Sequence, residues 1–257
     1  MRNYTVSGCI VTYNSKDKIS ATITSVLENT KGVDFTLYIV DNASTDGTAE
    51  FIKENFPQVV VVEPKSNDGF GAGHNKILPF LTSKYHVVIN PDILLKDDVI
   101  TELCRYADED EEIGLLSPDI RFEDGTKQLL AKRNPTVRYL GAHRLYDKEK
   151  PAGKLMTEYC MLDMPEDKPY PITNATGCFM FFRTEVFREI GGFDERFFMY
   201  LEDCDIARRV ADRCKALHYP MATVYHLWER ESKHSKKLLL IHVQSILKYF
   251  LKWGIKF

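Results

Sequence analysis

Residues 35–55 read FTLYIVDNASTDGTAEFIKEN. Phe35 to Val40 is a short apolar, β-branched run that predicts a strand. It ends in Asp41-Asn42-Ala43-Ser44-Thr45-Asp46-Gly47, a segment dense in turn formers and helix caps. A helix follows to about Asn55. This strand, cap-rich turn and helix form one βα unit, and the unit recurs on both sides. Upstream, Val6–Val11 predicts a buried strand, and Ile19, Ile23, Val26 and Leu27 have helical spacing within 16–30. Downstream come a strand at Gln58–Glu63, a glycine-rich loop at Asn67–Gly73 and a helix over about 72–82. A strand at Tyr85–Ile89 then ends at Asn90-Pro91-Asp92, followed by a helix over about 96–107 and a strand at Ile113–Leu116. The order predicts an α/β fold: a Rossmann-like, mostly parallel central sheet with helices on both faces. Ligands of such sheets gather beyond the carboxyl ends of the strands. Thr12-Tyr13-Asn14, Asp41-Asn42 and Asn90-Pro91-Asp92 should therefore face one crevice.

After Pro118 the pattern changes. Asp119–Leu130 predicts a hairpin around Asp124-Gly125. Residues 131–171 have weak periodicity, five charged residues in Arg144–Lys150, and prolines at 151, 165, 169 and 171. They read as a long excursion, a lid or acceptor-facing loop. Order returns as a strand at Ala175–Arg183 and a short helix to Ile190. The five consecutive acids Asp108–Glu112 read as a solvated loop.

Composition excludes several classes. With 44% hydrophobic and 28% charged residues the chain is ordinary globular material, and a net charge of −3 argues against nucleic acid as a partner. The six cysteines form no CxxC pair, which suits reduced, mostly buried thiols in the cytoplasm. The N-terminus lacks the apolar core of a signal peptide, and no apolar stretch reaches the roughly 18–20 residues of a spanning helix. The tail is distinctive: residues 232–257 hold six lysines and no acid. Gln244, Lys248, Lys252 and Lys256 repeat along one side of a helix, with Leu239, Ile246, Phe250, Trp253 and Phe257 opposite. A basic amphipathic helix over 231–257 suits an anionic membrane surface, placing the protein at the periphery of the cytoplasmic membrane. Packing on the domain itself or on a second subunit, in a homodimer, suits it too.

Two segments carry chemistry. An aspartate just past a buried strand, as in Asn90-Pro91-Asp92, can offer a hard divalent cation an oxygen ligand, although Pro-Asp is also a common turn. In Gly191–Asp205, the carboxylates Asp194, Glu195, Glu202 and Asp203 lie among four aromatics. Aromatic packing around a carboxylate can raise its pKa toward that of a useful general base. Glu202 and Asp203 also open a helix, where acids are favoured in any protein.

Taken in order, Ile10–Asn14, Val40–Thr48, Asn67–Asn75, Asn90–Asp92, Thr176–Arg183 and Gly191–Asp205 resemble the motifs of family 2 glycosyltransferases, nearest to the bacterial rhamnosyltransferase-like branch. The resemblance covers about residues 5–228, excluding 131–171. It implies a GT-A fold, with a nucleotide-binding half at 1–118 and an acceptor half at 119–230. It implies an inverting, metal-dependent hexosyltransferase of polysaccharide synthesis. The cofactor would be Mn²⁺ or Mg²⁺. The donor would be a nucleotide-diphosphate sugar, dTDP-rhamnose first and a UDP-hexose next, and the acceptor a saccharide or lipid-linked saccharide. By that resemblance Thr12, Tyr13, Asn14, Asp41 and Asn42 hold base and ribose, with Asp41 accepting from the pyrimidine N3–H. Asn67, Gly69, Phe70, Gly71, Asn75, Asn90 and Gly177 line the nucleotide-sugar, the glycines letting backbone approach the ligand. Asp92 matches the last aspartate of the family's DxD motif, with Asn90 replacing the first, and His226 completes the metal or diphosphate site. Asp203 is the base that deprotonates the acceptor, and Glu202 its partner.

Three rival readings fit less well. A dinucleotide fingerprint would need glycine where His74 stands, and after the first strand rather than the third. A nucleotidyltransferase would show a glycine-rich loop where Tyr13-Asn14-Ser15-Lys16 stands. A catalytically silent sugar-nucleotide-binding module would have no use for Asp92, Glu202 and Asp203 together.

Overall fold

The apolar runs become neighbouring strands because a strand covered on both faces must be apolar throughout. The computed structural model describes residues 4–146, 152–227 and 236–257. In it β1 (Thr5–Thr12), β2 (Asp34–Asp41), β3 (Val60–Val62) and β4 (Tyr85–Ile89) pair in parallel, β1 between β2 and β4 and β3 outside β2. Thr12 stands opposite Asp41 in that register. Adjacent residues on β2 serve opposite faces: Ile39 packs in one core and Val40 in the other. The connecting helices are α1 (Ile19–Glu28), α2 (Thr48–Asn55), α3 (Phe70–Asn75) and α4 (Val99–Ala107). Asp98 caps α4 by accepting from the Thr101 amide. The helix predicted over 72–82 stops at Asn75, and Pro79 leaves only a 3₁₀ turn at Leu78–Phe80.

Beyond β4 come β5 (Ile93–Leu94), β6 (Ile113–Arg121), β7 (Tyr170–Pro171), β8 (Phe179–Arg183) and β9 (Lys215–His226). The strand order is β3-β2-β1-β4-β8-β6-β9-β5, with β7 paired to β9. β8 inserts antiparallel between β4 and β6, whereas β9 pairs parallel to β6. Strands β1–β4, β6 and β9 therefore point one way and β5, β7 and β8 the other. The predicted parallel sheet is present in its first four strands and becomes mixed past β4. One sheet runs through both 1–118 and 119–230. β6 outlasts its predicted end at Leu116 and passes through Pro118, which is tolerated because the register shifts between Pro118 and Asp119. The predicted hairpin follows, with Gly125 at φ 86° and Arg121 bridged to Lys127.

The excursion at 131–171 is more ordered than its sequence suggests, and residues 147–151 lie outside the described ones. α5 (Val137–Leu145) and α6 (Lys154–Tyr159) close a small cluster of Met156, Tyr159 and Cys160, with the Tyr139 and Tyr159 rings stacked 4.9 Å apart. α7 (Thr184–Glu189) and α8 (Glu202–Ala211) complete the domain.

α9 (Lys236–Trp253) lies on this domain, and the first part of the predicted tail helix, 231–235, is outside the described residues. Ile246, Tyr249, Phe250 and Trp253 pack against Phe197 and Leu201. The lysine row is divided, with Gln244, Lys248 and Lys256 exposed and Lys252 turned inward. Lys252 bonds to Asp194 (2.8 Å) and Asp205 (2.6 Å), and Lys248 donates to the Arg196 carbonyl (2.5 Å). Leu239, Leu240, Val243, Leu247 and Leu251 are exposed too, as are Ile255 and Phe257 beyond the helix. Among the described residues no helix is long and apolar enough to cross a membrane.

Candidate active site

The carboxyl ends of β1, β2, β4 and β9 share one edge of the sheet, and β8 begins there because Phe179 pairs with Ile89. Two cross-loop ties join the first two strand ends. The Asn14 amide donates to Ser44 Oγ (2.8 Å), and Asn14 Oδ1 accepts from the Thr45 amide (2.8 Å). Asn14 and Ala43 sit at φ 50° and 59°, the left-handed bends that make this possible. Asp41 is buried, which raises its pKa. It accepts from the Ser44 hydroxyl and, at 3.3 Å, from the Ser44 amide, both of which oppose the rise. It thus caps its own loop. Tyr13 is half exposed, and Thr12 Oγ1 is buried without a hydrogen-bond partner among the described residues.

Asn42 Nδ2 donates to the Gly69 carbonyl (3.0 Å), and Asn67 Oδ1 accepts from the Gly69 amide (3.1 Å). The glycines of this loop have a reason that the sequence does not disclose. Gly69 has φ 101°, and a Cβ there would fall 2.0 Å from the Phe198 carbonyl oxygen. A Cβ at Gly71 would fall 2.7 Å from Phe193 Cβ. These contacts seat α3 against the segment leading into α8. Asn75 belongs to the same seam: its Nδ2 donates to the Phe193 carbonyl (2.8 Å) and Glu195 Oε1 (3.0 Å), and its Oδ1 accepts from the Phe193 amide (2.8 Å). Its polar capacity goes to the protein rather than to a ligand.

Two carboxylates flank the start of β8. On one side the Asn90 amide donates to the Cys178 carbonyl (2.9 Å), fixing the turn that carries Asp92. On the other the Gly177 amide donates to Asp203 Oδ2 (2.9 Å). A Cβ at Gly177 would lie 3.2 Å from Phe70 and 3.3 Å from Asp203 Cβ, so a side chain there would press on both neighbours. Burial pushes the Cys178 thiol up to about 12. The Thr176 hydroxyl bond opposes this, and the charges of Asp92 and Asp203 both add to it. One buried sulfur thus feels both carboxylates.

Asp92 Oδ2 lies 3.2 Å from His226 Nε2, and Asp92 Oδ1 is buried with no hydrogen-bond partner among the described residues. His226 reaches this place because Ile93 on β5 pairs with His226 at the end of β9. The carboxylate oxygen suits Mn²⁺ or Mg²⁺, the imidazole nitrogen favours the transition metal of the two, and the orphaned oxygen is unspent ligand capacity. No cluster of three or more such side chains occurs among the described residues. A cation here would draw its remaining ligands from a diphosphate and water.

Asp203 and Glu202 follow two bulky residues with left-handed backbone, Tyr200 (φ 72°) and Leu201 (φ 66°). Such strain costs about 1–3 kcal/mol per residue and persists only where packing enforces it. Here α9 does so: Ser245 Oγ donates to the Met199 carbonyl (2.8 Å), and Leu201 packs with Tyr249. The turn sends Glu202 inward, where burial and then the Asp203 charge raise its carboxyl well above the ordinary range. Asp203 stays half-buried at the crevice. The other two carboxylates of the predicted cluster are structural. Glu195 meets Asn75, and Asp194 is held well below the usual range by Arg196, with Lys252 contributing. Sequence reasoning missed His242 on α9 and Lys132. Burial lowers the His242 pKa, the Lys132 charge adds to the lowering and the Asp203 charge opposes it. Their only signal was the basic character of both segments.

The sequence profile of glycosyl transferase family 2 matches residues 7–191, and that of the N-terminal domain of galactosyltransferase matches 161–229. The N-acetylglucosaminyl-diphospho-decaprenol L-rhamnosyltransferase of Mycobacterium tuberculosis is 28% identical over 200 residues, 73% of this chain and 65% of that protein. The chain thus spans 65% of the length of this relative. Rhamnosyltransferase WbbL of Escherichia coli K12 is 24% identical over 72% of this chain and 70% of its own. Among solved structures, the Pyrobaculum calidifontis mannosyltransferase PcManGT, in complex with GDP-Man and Mn²⁺, superposes with TM-score 0.70 at 18% identity. That match covers 98% of this chain and 64% of the other. GalNAc-T7 with UDP, GalNAc and Mn²⁺ gives 0.69 at 17%, covering 96% and 48%. Both structural likenesses show the GT-A fold. With the first profile covering well over half of its 257 residues, this chain belongs to glycosyl transferase family 2.

Proposed function

We propose that the protein is an inverting glycosyltransferase that moves a hexosyl group from a nucleotide-diphosphate sugar to a saccharide hydroxyl. The observation that supports this reading is that the turn carrying Asp92 bonds to Cys178 while Asp203 accepts from the adjacent Gly177 amide. Residues 1–118 take the nucleotide and 119–230 the acceptor. Thr12 Oγ1 and Asn42 Oδ1, both buried without a partner among the described residues, are free to meet base and ribose. Asp92 and His226 would hold the divalent cation, which when bound offsets the charge growing on the departing diphosphate.

The acceptor hydroxyl oxygen attacks the anomeric carbon on the face opposite the diphosphate. As that bond forms, the bond from the anomeric carbon to the phosphate oxygen breaks and the electron pair leaves with the nucleoside diphosphate. The hydroxyl proton passes to Asp203, held in place by the Gly177 amide. Glu202, its carboxyl pKa raised by burial and by the Asp203 charge, stands beside Asp203 as its partner. Attack opposite the leaving group inverts the anomeric centre without a protein nucleophile.

The rhamnosyltransferase names of two relatives favour dTDP-rhamnose, with a UDP-hexose as the alternative. A lipid-linked saccharide in polysaccharide synthesis is the favoured acceptor. The exposed leucines of α9 would bring the enzyme to the cytoplasmic membrane surface that holds it. A donor panel of dTDP-rhamnose, UDP-hexoses and GDP-mannose, scored by nucleoside diphosphate release with Mn²⁺ or Mg²⁺, tests the reading. Turnover should be greatest with dTDP-rhamnose and stop with a chelator. Failure to bind or turn over any donor would refute it.

A further inference from the structure

We infer that Gln128 is a positioning residue that fixes the tautomer of His226 and aims its Nε2 at Asp92. Gln128 is 3% exposed, and its backbone amide is tied to the Ile120 carbonyl of β6 (2.8 Å). Its side-chain amide makes two bonds to one residue. Gln128 Nε2 donates to the His226 carbonyl (2.7 Å), and Gln128 Oε1 faces His226 Nδ1 at 3.0 Å. The orientation follows from the chemistry of the partners. A carbonyl oxygen only accepts, so the nitrogen end of the amide must face it, and the Arg121 carbonyl at 3.4 Å demands the same. The oxygen end is then left for Nδ1, and because an amide oxygen only accepts, Nδ1 must carry the proton.

In the neutral ring that leaves Nε2 as the lone-pair nitrogen, 3.2 Å from Asp92 Oδ2. An Nε2–H tautomer would make an ordinary hydrogen bond to Asp92 and need no third party. Of the two neutral forms the Gln128 bond selects the Nδ1–H ring, whose Nε2 electron pair lies on the Asp92 side and can be given to a cation. The role rests on the cation reading given above, and partners of this kind typically set metal affinity by about 10–100-fold.

The test uses the intact chain with ¹⁵N-imidazole histidine, the His226 signals being those lost in His226→Asn. Unsubstituted protein should show the Nδ1–H form without metal. In Gln128→Leu the Nε2–H form should grow, and Mn²⁺ binding in the presence of UDP should weaken by about 10–100-fold. Gln128→Glu, neutral at this buried place, keeps both an acceptor for Nδ1–H and a donor for the His226 carbonyl, so it should keep the tautomer and most of the affinity. It also serves if the leucine variant fails to fold. An Nε2–H ring in the unsubstituted protein, or a leucine variant with unchanged tautomer and Mn²⁺ affinity, overturns the assignment. If the expected tautomers appear but Mn²⁺ binds no variant, the cation reading falls and the tautomer role of Gln128 stands.

Discussion

Glu202 and Asp203 are neighbours in sequence and opposites in environment. Successive residues on a helix diverge by about 100°, so they cannot both face the same wall. Glu202, Asp205 and Ile206 share the buried face of α8, and Asp203 is left at the crevice. The sequence does not distinguish the two acids, since Asp203, Ile206 and Ala207 have the same i, i+3, i+4 spacing as Glu202, Asp205 and Ile206. The motif alone gives only the pair. The consequence is a division of labour: a buried carboxyl with raised pKa beside one fixed by the Gly177 amide. Asp203→Asn keeps the shape and an oxygen acceptor for that amide but removes the base. Transfer should fall by roughly 10²–10⁴-fold, the usual worth of a general base, while the donor dissociation constant stays nearly unchanged. Steady-state nucleoside diphosphate release and calorimetric donor titration read the two quantities. Normal turnover in this variant would show that the base lies elsewhere.

Secondary-structure elements differ in how legible they are. The βα units at 5–62 can be read because parallel strands covered on both faces are unbroken apolar runs and their turns carry caps. The direction of β8 cannot, since Phe179–Arg183 is as apolar as any parallel strand and its sequence holds no mark of polarity. α5 and α6 escape the sequence reading because the cluster they bury is small and assembled from both helices. In α9 the lysine period is legible but its destination is not. Lys252 is drawn inward by Asp194, read from sequence only as one of a cluster, and by Asp205, and Trp253 Nε1 also donates to Asp205 (2.8 Å). The leucine row faces outward as a result, with Leu251 87% exposed. Exposed lysines at 236, 237 and 256 surround that row, and no acid lies within 236–257. An anionic bilayer fits such a face. Leu247→Glu with Leu251→Glu should abolish flotation with anionic liposomes while leaving donor binding intact. Equal flotation of the variant and the parent protein would remove the membrane role from this helix.

Across the molecule, the sheet gathers residues that the sequence scatters. Thr12, Asp41 and Asp92 follow strands of the parallel half, and their convergence is a property of parallel order that is legible in the sequence itself. Asp203 and His226 belong to the mixed half, and their arrival depends on β8 entering antiparallel at the same edge and on β5 pairing with the end of β9. The strained turn at Tyr200-Leu201, held from behind by α9, completes the placement. Gln128, which no motif marks, lies across from His226 because β6 and β9 are neighbours.

If Asp92 and His226 on one side and Asp203 on the other serve a single sugar–diphosphate linkage, a bound nucleotide must lie between them. Anomalous diffraction from crystals of the intact chain soaked with Mn²⁺ and UDP locates both metal and diphosphate in one measurement. The expected result is a single Mn²⁺ peak touching Asp92 and His226 Nε2, with the diphosphate directed past Gly177 toward Asp203. A peak remote from Asp92, or a diphosphate pointing away from Asp203, would contradict the shared site.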